Sequence, residues 1–127
     1  MESALSLEAL SEGLAGFSHP IRIRAIVLLE FERGPRDLAE LLQEPLGVVS
    51  YHVRMLRQYG LVELTKTEAR RGALAHFYKR TELAEHLLKL LNGSLDVPKK
   101  TRGPQGEKRR DALAEWALRT RTAAAAA

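Results

Sequence analysis

The sequence predicts a mainly α-helical protein with one small β-hairpin, an α+β fold. Apolar residues recur at helical spacing through most of the chain, as in residues 3–16, where Leu7, Leu10 and Leu14 form one stripe. The period changes to strand-like alternation after Gly60, in "LVEL" and again in "LAHFYKR". Because these two runs flank a glycine-containing turn, they predict one hairpin within an otherwise helical chain.

Four further helices complete the predicted order of elements. The second begins at the N-cap Ser18 and ends near Gly34, and a short third helix follows in "RDLAELLQ". The fourth is helix 45–59, which opens with a proline suited to a first helical turn and closes at a glycine. The fifth begins after Thr81, and Asn92 with the glycine that follows it is expected to end it.

The composition changes near residue 98, and this change predicts the domain organisation. A chain of 127 residues is long enough for one sizeable core. Residues 1–97 are expected to form that domain. Residues 98–127 are expected to be a basic linker and C-terminal extension, because the linker part is rich in Gly, Pro and Lys. Helical propensity returns at 107–122, with Leu113 and Trp116 on one side.

Charge is distributed unevenly along the chain. The net charge is +4, but residues 45–80 hold seven basic and two acidic residues, whereas residues 1–44 hold four basic and eight acidic ones. A basic block beside an acidic one indicates a molecule with one face for a polyanion. Residues 98–127 are basic as well, with eight basic and three acidic residues.

Several classes of function are disfavoured by the residues themselves. The chain has no cysteine, so it forms no disulfide and no thiolate metal site. Its N-terminus lacks the features of a secretory signal and no apolar run approaches the ~20 residues of a membrane span, which predicts a cytoplasmic protein without a membrane partner. Neither a catalytic set nor a phosphate-binding loop is evident, so no enzyme activity and no cofactor are expected.

One arrangement could hold a metal ion, although a solvated helix is the favoured interpretation. Glu82, Glu85 and His86 lie at i, i+3 and i+4 on one face of the fifth helix. Because no second histidine is near them in the sequence, no metal site is predicted.

Helix 45–59 has two faces of different character. Val49, Val53 and Leu56 have the spacing of a core face, and His52 lies beside them. For His52 the favoured role is packing, with a hydrogen bond to a backbone group. The opposite face carries small, polar and basic residues, namely Gly47, Ser50, Tyr51, Arg54 and Gln58. Such a face is better suited to contact with solvent or an external partner than to burial in the core.

The order of helices and hairpin is that of a winged helix-turn-helix. The segments "FSHPIRIRAIVLL", "DLAELL", "VVSYHVRMLRQYGLVEL" and "RRGALAHFYKRTE" resemble the ArsR-type family of small dimeric repressors, over roughly residues 14–91. The resemblance implies a sequence-specific transcriptional regulator, and a repressor in particular, whose partner is double-stranded DNA. Members often sense metals through cysteine pairs, which this chain lacks, so its effector is left open.

The resemblance also implies roles for individual side chains. Helix 45–59 would read the major groove, and a wing at 64–79 would contact the backbone or the minor groove. The candidates for base contact are Ser50, Tyr51, Arg54, Gly47 and Gln58. The candidates for backbone contact are Arg57, Lys66, Arg70, Arg71 and Lys79.

A symmetric homodimer is expected because one small core cannot cover every leucine stripe. The expected interface residues are Leu7, Leu10, Leu14, Leu83, Leu87 and Leu90. The alternative function is a winged-helix dimer that acts mainly as a protein-interaction module through its basic C-terminal extension. The basic charge concentrated in residues 45–80 favours DNA, since a pure interaction module has no reason to place charge there.

Overall fold

The computed structural model describes residues 6–100 and 106–126, with side chains described to Arg121. Its elements are α1 (Leu7–Ala15), α2 (Pro20–Leu28), α3 (Pro35–Leu42), α4 (Leu46–Gln58), β1 (Val62–Arg70), β2 (Ala73–Arg80), α5 (Glu82–Leu95) and α6 (Gly106–Ala126). The two strands form one antiparallel sheet. The predicted α+β class with a single hairpin is therefore confirmed.

Helix α2 differs from the prediction at both ends. His19, and not Ser18, is the N-cap, because its Nδ1 accepts a hydrogen bond from the Ile21 amide at 3.1 Å. The helix ends at Leu28, well before Gly34. The chain turns there because Arg33 pairs with the hairpin: its amide donates to the Tyr78 carbonyl, and the Tyr78 amide donates back over 2.8 Å.

Helix α5 continues past the expected stop at Asn92 and ends at Leu95. Its left-handed C-cap is Asp96, with φ of 54°. The predicted end of the helix at Asn92 and Gly93 is therefore wrong. The extra turn is held by tertiary contact, since the Leu95 carbonyl accepts a hydrogen bond from Trp116 Nε1 at 2.9 Å.

One hydrophobic core joins the helices, and α6 contributes to it. Ile26 and Leu28 of α2 are fully buried in this core. Leu113 and Trp116 of α6 belong to the same cluster, with Leu113 at 0% and Trp116 at 2% exposure. Helix α6, which lies in the segment expected to be an extension, packs against α2 and α3.

A buried ion-pair network links α6 to the end of α2 and to the hairpin. Arg109 donates to both carboxylate oxygens of Glu30, at 2.9 Å from Nη2 and 3.0 Å from Nε. Arg80 reaches Glu30 at 3.3 Å and also pairs with Glu85. Burial alone would raise the pKa of Glu30, but Arg109 and Arg80 lower it more, so the pKa lies below its usual value.

The hairpin closes through a two-residue turn at Arg71 and Gly72. Arg70 pairs with Ala73, and the two turn residues have φ values of 48° and 81°. Positive φ at both positions is the mirror-image turn that matches the twist of a hairpin. The turn places Arg71 at the exposed tip.

Candidate nucleic-acid interface

Helix α4 buries one face and leaves the other open. Val49, Val53 and Leu56 are at most 2% exposed, which fixes the rotation of the helix about its axis. On the outer face Gly47, Tyr51, Arg54 and Gln58 are exposed, and Ser50 is partly buried. The structure thus brings the five residues proposed for base contact onto one surface.

Arg54 lies over an aromatic ring. Its guanidinium carbon is 5.7 Å from the centroid of the Tyr51 ring, and Tyr51 packs edge-on against His52 at 5.2 Å between centroids. Among the residues with described side chains, no ion pair includes Arg54. Its guanidinium donors are therefore open to an external partner.

The start of α4 is accessible to a large partner. A Cβ atom added at Gly47 would meet nothing within 4 Å, and the N-cap Pro45 provides no side-chain cap. The first amides of a helix have no intrahelical acceptor and favour negative charge. A phosphate group could approach this end closely.

A cleft of about 540 Å³ lies between α4, the start of α3 and the hairpin. We call it the interface cleft. Four arginines line it, namely Arg36, Arg54, Arg57 and Arg70, whereas Asp37 is the one carboxylate among its described lining residues. Arg36 is not among the contact residues predicted from the sequence. Its position directly after Pro35, in the first turn of α3, was the signal that could have indicated it. The cleft is strongly cationic and suits a polyanion.

The basic residues of the hairpin differ in whether a carboxylate neutralises them. Glu68 pairs with Lys66 at 3.1 Å and with Arg70 at 2.8 Å, and both cations lie over the Phe77 ring. The hydrogen bond that Lys66 donates to the Glu68 carboxylate raises the pKa of Lys66. Arg71 and the exposed Lys79 form no ion pair among the described side chains.

His52 packs inward, as predicted, and connects α4 to α2. It is 7% exposed, and its Nδ1 accepts a hydrogen bond from Arg22 Nε at 3.1 Å. The predicted partner was a backbone group, so the partner was wrong. Burial, then the His19 ring at 4.5 Å and the Arg22 guanidinium, lower the pKa of His52. Arg22 was not identified as a site residue, although it lies three residues after His19 in the His-Pro-x-Arg segment.

The leucines expected at a dimer interface differ in exposure. Leu7, Leu14 and Leu90 are 83%, 51% and 67% exposed. Leu10 and Leu83 are partly buried beneath them, and Leu87, at 1%, belongs to the protomer's own core. Because α1 packs on α5, the exposed three lie on one helix pair, whereas Leu87 is already covered without a second chain.

Neither a metal centre nor a membrane span is found in the described ranges. Across residues 6–100 and 106–126 no three His, Asp or Glu side chains are grouped so as to hold a metal ion. Glu85, one of the three residues considered from the sequence, instead pairs with Arg80. In the same ranges no helix is both long and apolar enough to cross a bilayer.

Comparison with solved structures identifies the fold. The chain is similar to HlyU from Vibrio cholerae N16961, with a TM-score of 0.55 and 22% sequence identity, over 73% of this chain and 97% of HlyU. No protein-family model matches the chain, and no curated protein matches its sequence. The structural similarity, together with the helices and hairpin described above, shows that the chain has a winged-helix fold.

Proposed function

We propose that this protein is a dimeric, sequence-specific DNA-binding transcriptional regulator of ArsR-like type that acts as a repressor. The observation that carries the proposal is the interface cleft, where four arginines meet the open face of α4. Helix-turn-helix proteins insert their second helix into the major groove, and α3 and α4 are the corresponding pair here. A cationic, solvent-open cleft beside that helix fits a duplex.

The side chains divide into two roles. Arg54, held over Tyr51, is placed to donate two parallel hydrogen bonds to guanine O6 and N7. Arg71 at the hairpin tip and Arg57 in the cleft would contact phosphates, which fixes the position of the protein without reading sequence. Ser50 and Gly47 allow the helix to approach the bases closely.

The proposed assembly is a homodimer formed through α1 and α5. Leu7, Leu14 and Leu90 would be covered by the same residues of a second chain, since a two-fold axis pairs each patch with its copy. The dimer would present two α4 helices to half-sites about one helical turn of DNA apart. A repressor of this type would compete with transcription initiation at a pseudo-palindromic operator.

The first experiment selects bound duplexes from a random pool with the full-length protein. The expected result is one enriched motif with two-fold symmetry. Enrichment of no motif at all would contradict the proposal and favour the alternative of a protein-interaction module.

Two arginine variants then separate base reading from backbone contact. Arg54→Ala is expected to cost about 1–3 kcal/mol on the selected motif and to relax preference at one position per half-site. Arg71→Ala is expected to weaken binding to selected and random duplexes alike. It is also expected to reduce the slope of log affinity against log salt concentration by about one, the loss of one phosphate contact. Equal losses for Arg54→Ala on both kinds of DNA would remove Arg54 from the base-reading role.

A further inference from the structure

A second cleft lies apart from the interface cleft and shares no lining residue with it. Its volume is about 400 Å³, and it is bounded by the α1–α2 connection, the end of α5 and α6. We call it the α6 cleft. Its apolar wall is formed by Phe17, Ile23, Leu95 and Trp116. This volume and this lining are in the range typical of pockets for small organic molecules.

The α6 cleft is also lined by a buried cation, Arg24. Arg24 is 4% exposed, and its two hydrogen bonds, each 3.0 Å long, go to neutral acceptors, the carbonyls of Ala117 and Leu42. No carboxylate forms an ion pair with it in the described part of the chain. Burial lowers the pKa of Arg24, Glu44 opposes this effect and Arg121 adds to it.

This guanidinium is removed from water and has no counter-charge in direct contact, because Glu44 acts on it only from a distance and is itself paired with Arg121 at 3.3 Å. Such burial is unfavourable. An anionic group in the adjacent cleft would supply that charge, and the apolar wall would cover an apolar body. We propose that the α6 cleft binds a small organic anion, with an aromatic body against Phe17, Ile23 and Trp116 and its anionic group toward Arg24.

The position of the cleft gives such a ligand a route to the DNA-reading helix. His19 lines the α6 cleft, and its ring contacts that of His52 in α4, with 4.5 Å between the centroids and a tilt of 37° between the planes. A ligand that displaces His19 changes the packing of His52 and thereby the orientation of α4. This regulatory step rests on the proposed function, whereas the binding step does not.

Binding is tested on the full chain without DNA, with 1-anilinonaphthalene-8-sulfonate as the anionic probe. N-phenyl-1-naphthylamine, which has the same aromatic body without the sulfonate, is the neutral control. Trp116 is the chain's only tryptophan and lines the cleft, so energy transfer from it to the probe reports occupancy. The expected result is saturable binding of one sulfonate per chain.

Two positions decide whether the probe occupies the α6 cleft. Arg24→Gln is expected to weaken the sulfonate about tenfold or more, while the neutral compound changes less than about twofold. Ser94 lies exposed at the cleft, so Ser94→Phe, which adds bulk without a second tryptophan, is expected to obstruct both compounds and Ser94→Ala to obstruct neither. The serine variants still decide the question if Arg24→Gln fails to fold. Absence of saturable binding, or unchanged sulfonate binding in Ser94→Phe, overturns the proposal.

The regulatory step is tested with the selected duplex. Saturating sulfonate is expected to change duplex affinity about fivefold or more in the native protein. His19→Asn keeps an N-cap acceptor but removes the ring, so it should bind the sulfonate and lose this coupling. Unchanged duplex affinity with the cleft occupied overturns the regulatory step alone. If the protein binds the sulfonate but no duplex, the proposed function is contradicted, whereas the proposal that the α6 cleft binds an organic anion stands.

Discussion

Arg54 and Arg70 are both exposed arginines of the interface cleft, yet their surroundings differ. Arg54 lies on the Tyr51 ring with no carboxylate paired to it among the described side chains, whereas Arg70 is tied to Glu68 at 2.8 Å. An arginine already paired must exchange one partner for another when it binds phosphate, so its net gain is smaller. At the scale of single residues, the free energy that an arginine gains by binding a phosphate therefore depends on whether a carboxylate already pairs with it.

Gly47 gives a residue-scale prediction that separates stability from binding. Gly47→Ala is expected to raise the free energy of unfolding by up to about 1 kcal/mol, because alanine favours a helix and the new Cβ meets nothing. The same Cβ is expected to weaken duplex binding by about 1 kcal/mol or more, since it obstructs hydrogen bonds between phosphate and the first amides of α4.

The matched control is Gly93→Ala in α5, where a Cβ also meets nothing and no contact with DNA is proposed. It should give a similar gain in urea unfolding with no change in duplex affinity. If Gly47→Ala leaves binding unchanged, the start of α4 does not approach the DNA backbone.

His52 gives a prediction about pH. Burial, with His19 and Arg22, holds the pKa of His52 below its ordinary 6.5, so the folded state binds fewer protons there than the unfolded chain. The stability contributed by neutral His52 is complete above the unfolded pKa and is lost as pH falls below about 6.5 toward the folded pKa.

The measurement is urea unfolding at about pH 7.5 and about pH 5.5 in the native protein and in His52→Gln, which keeps an acceptor for Arg22 but does not titrate. The native protein is expected to lose more unfolding free energy on acidification than the variant. Equal losses would show that the burial of His52 is not coupled to its protonation.

At the scale of secondary-structure elements, α6 determines how the winged helix is supported. It packs against α2 and α3, and Arg109 and Trp116 bond to Glu30 and Leu95 on other elements. The segment 98–100 leading toward it contributes through the Pro98 carbonyl, which accepts from Arg109 at 2.6 Å. Helix α6 is therefore a brace for α2 and α3, which in turn pack against α4.

Trp116→Ala tests this brace. The substitution is expected to lower the free energy of unfolding by about 3–5 kcal/mol, because it empties a buried site and removes the hydrogen bond to Leu95. Glu115→Ala, at an exposed neighbouring position, should change stability by less than about 0.5 kcal/mol. Thermal and urea unfolding measure both; a small effect for Trp116→Ala would mean that α6 docks only weakly.

At the scale of the whole molecule, the arginine cluster and the exposed leucines of α1 and α5 lie on different elements. The interface cleft gathers four arginines, while Leu7, Leu14 and Leu90 project from the α1–α5 pair. A polyanion and a second copy of the chain would thus use different surfaces. The proposed dimer and the proposed DNA contact can therefore be tested by separate substitutions.

Leu90→Glu tests the dimer. Because two-fold symmetry places two such carboxylates in the interface, the loss of two buried leucines should raise the dimer dissociation constant about a hundredfold or more. Light scattering after gel filtration measures the mass. Leu74→Glu, at 60% exposure beside the hairpin turn and outside the proposed dimer interface, should leave the mass unchanged. A dimer unaffected by Leu90→Glu would move the proposed interface elsewhere.

The sequence by itself determined the kinds of element and the two faces of α4. Val49, Val53 and Leu56 repeat at helical spacing, so any helix formed there must bury that side and expose Arg54. The alternation after Gly60 likewise required a hairpin, and its basic turn placed Arg71 at the tip. These features depend on residues close together along the chain.

The tertiary structure alone decided which element covers which face. Spacing put Leu87 and Leu90 on the same helix, but only packing buried Leu87 in the core and left Leu90 open. It also gave His52 the Arg22 side chain as a partner and brought Trp116 onto Leu95, extending α5 past Gly93. Local sequence sets a helix and its apolar side, whereas the partner of that side depends on contacts between residues far apart in the chain, whose combined free energy outweighs local signals.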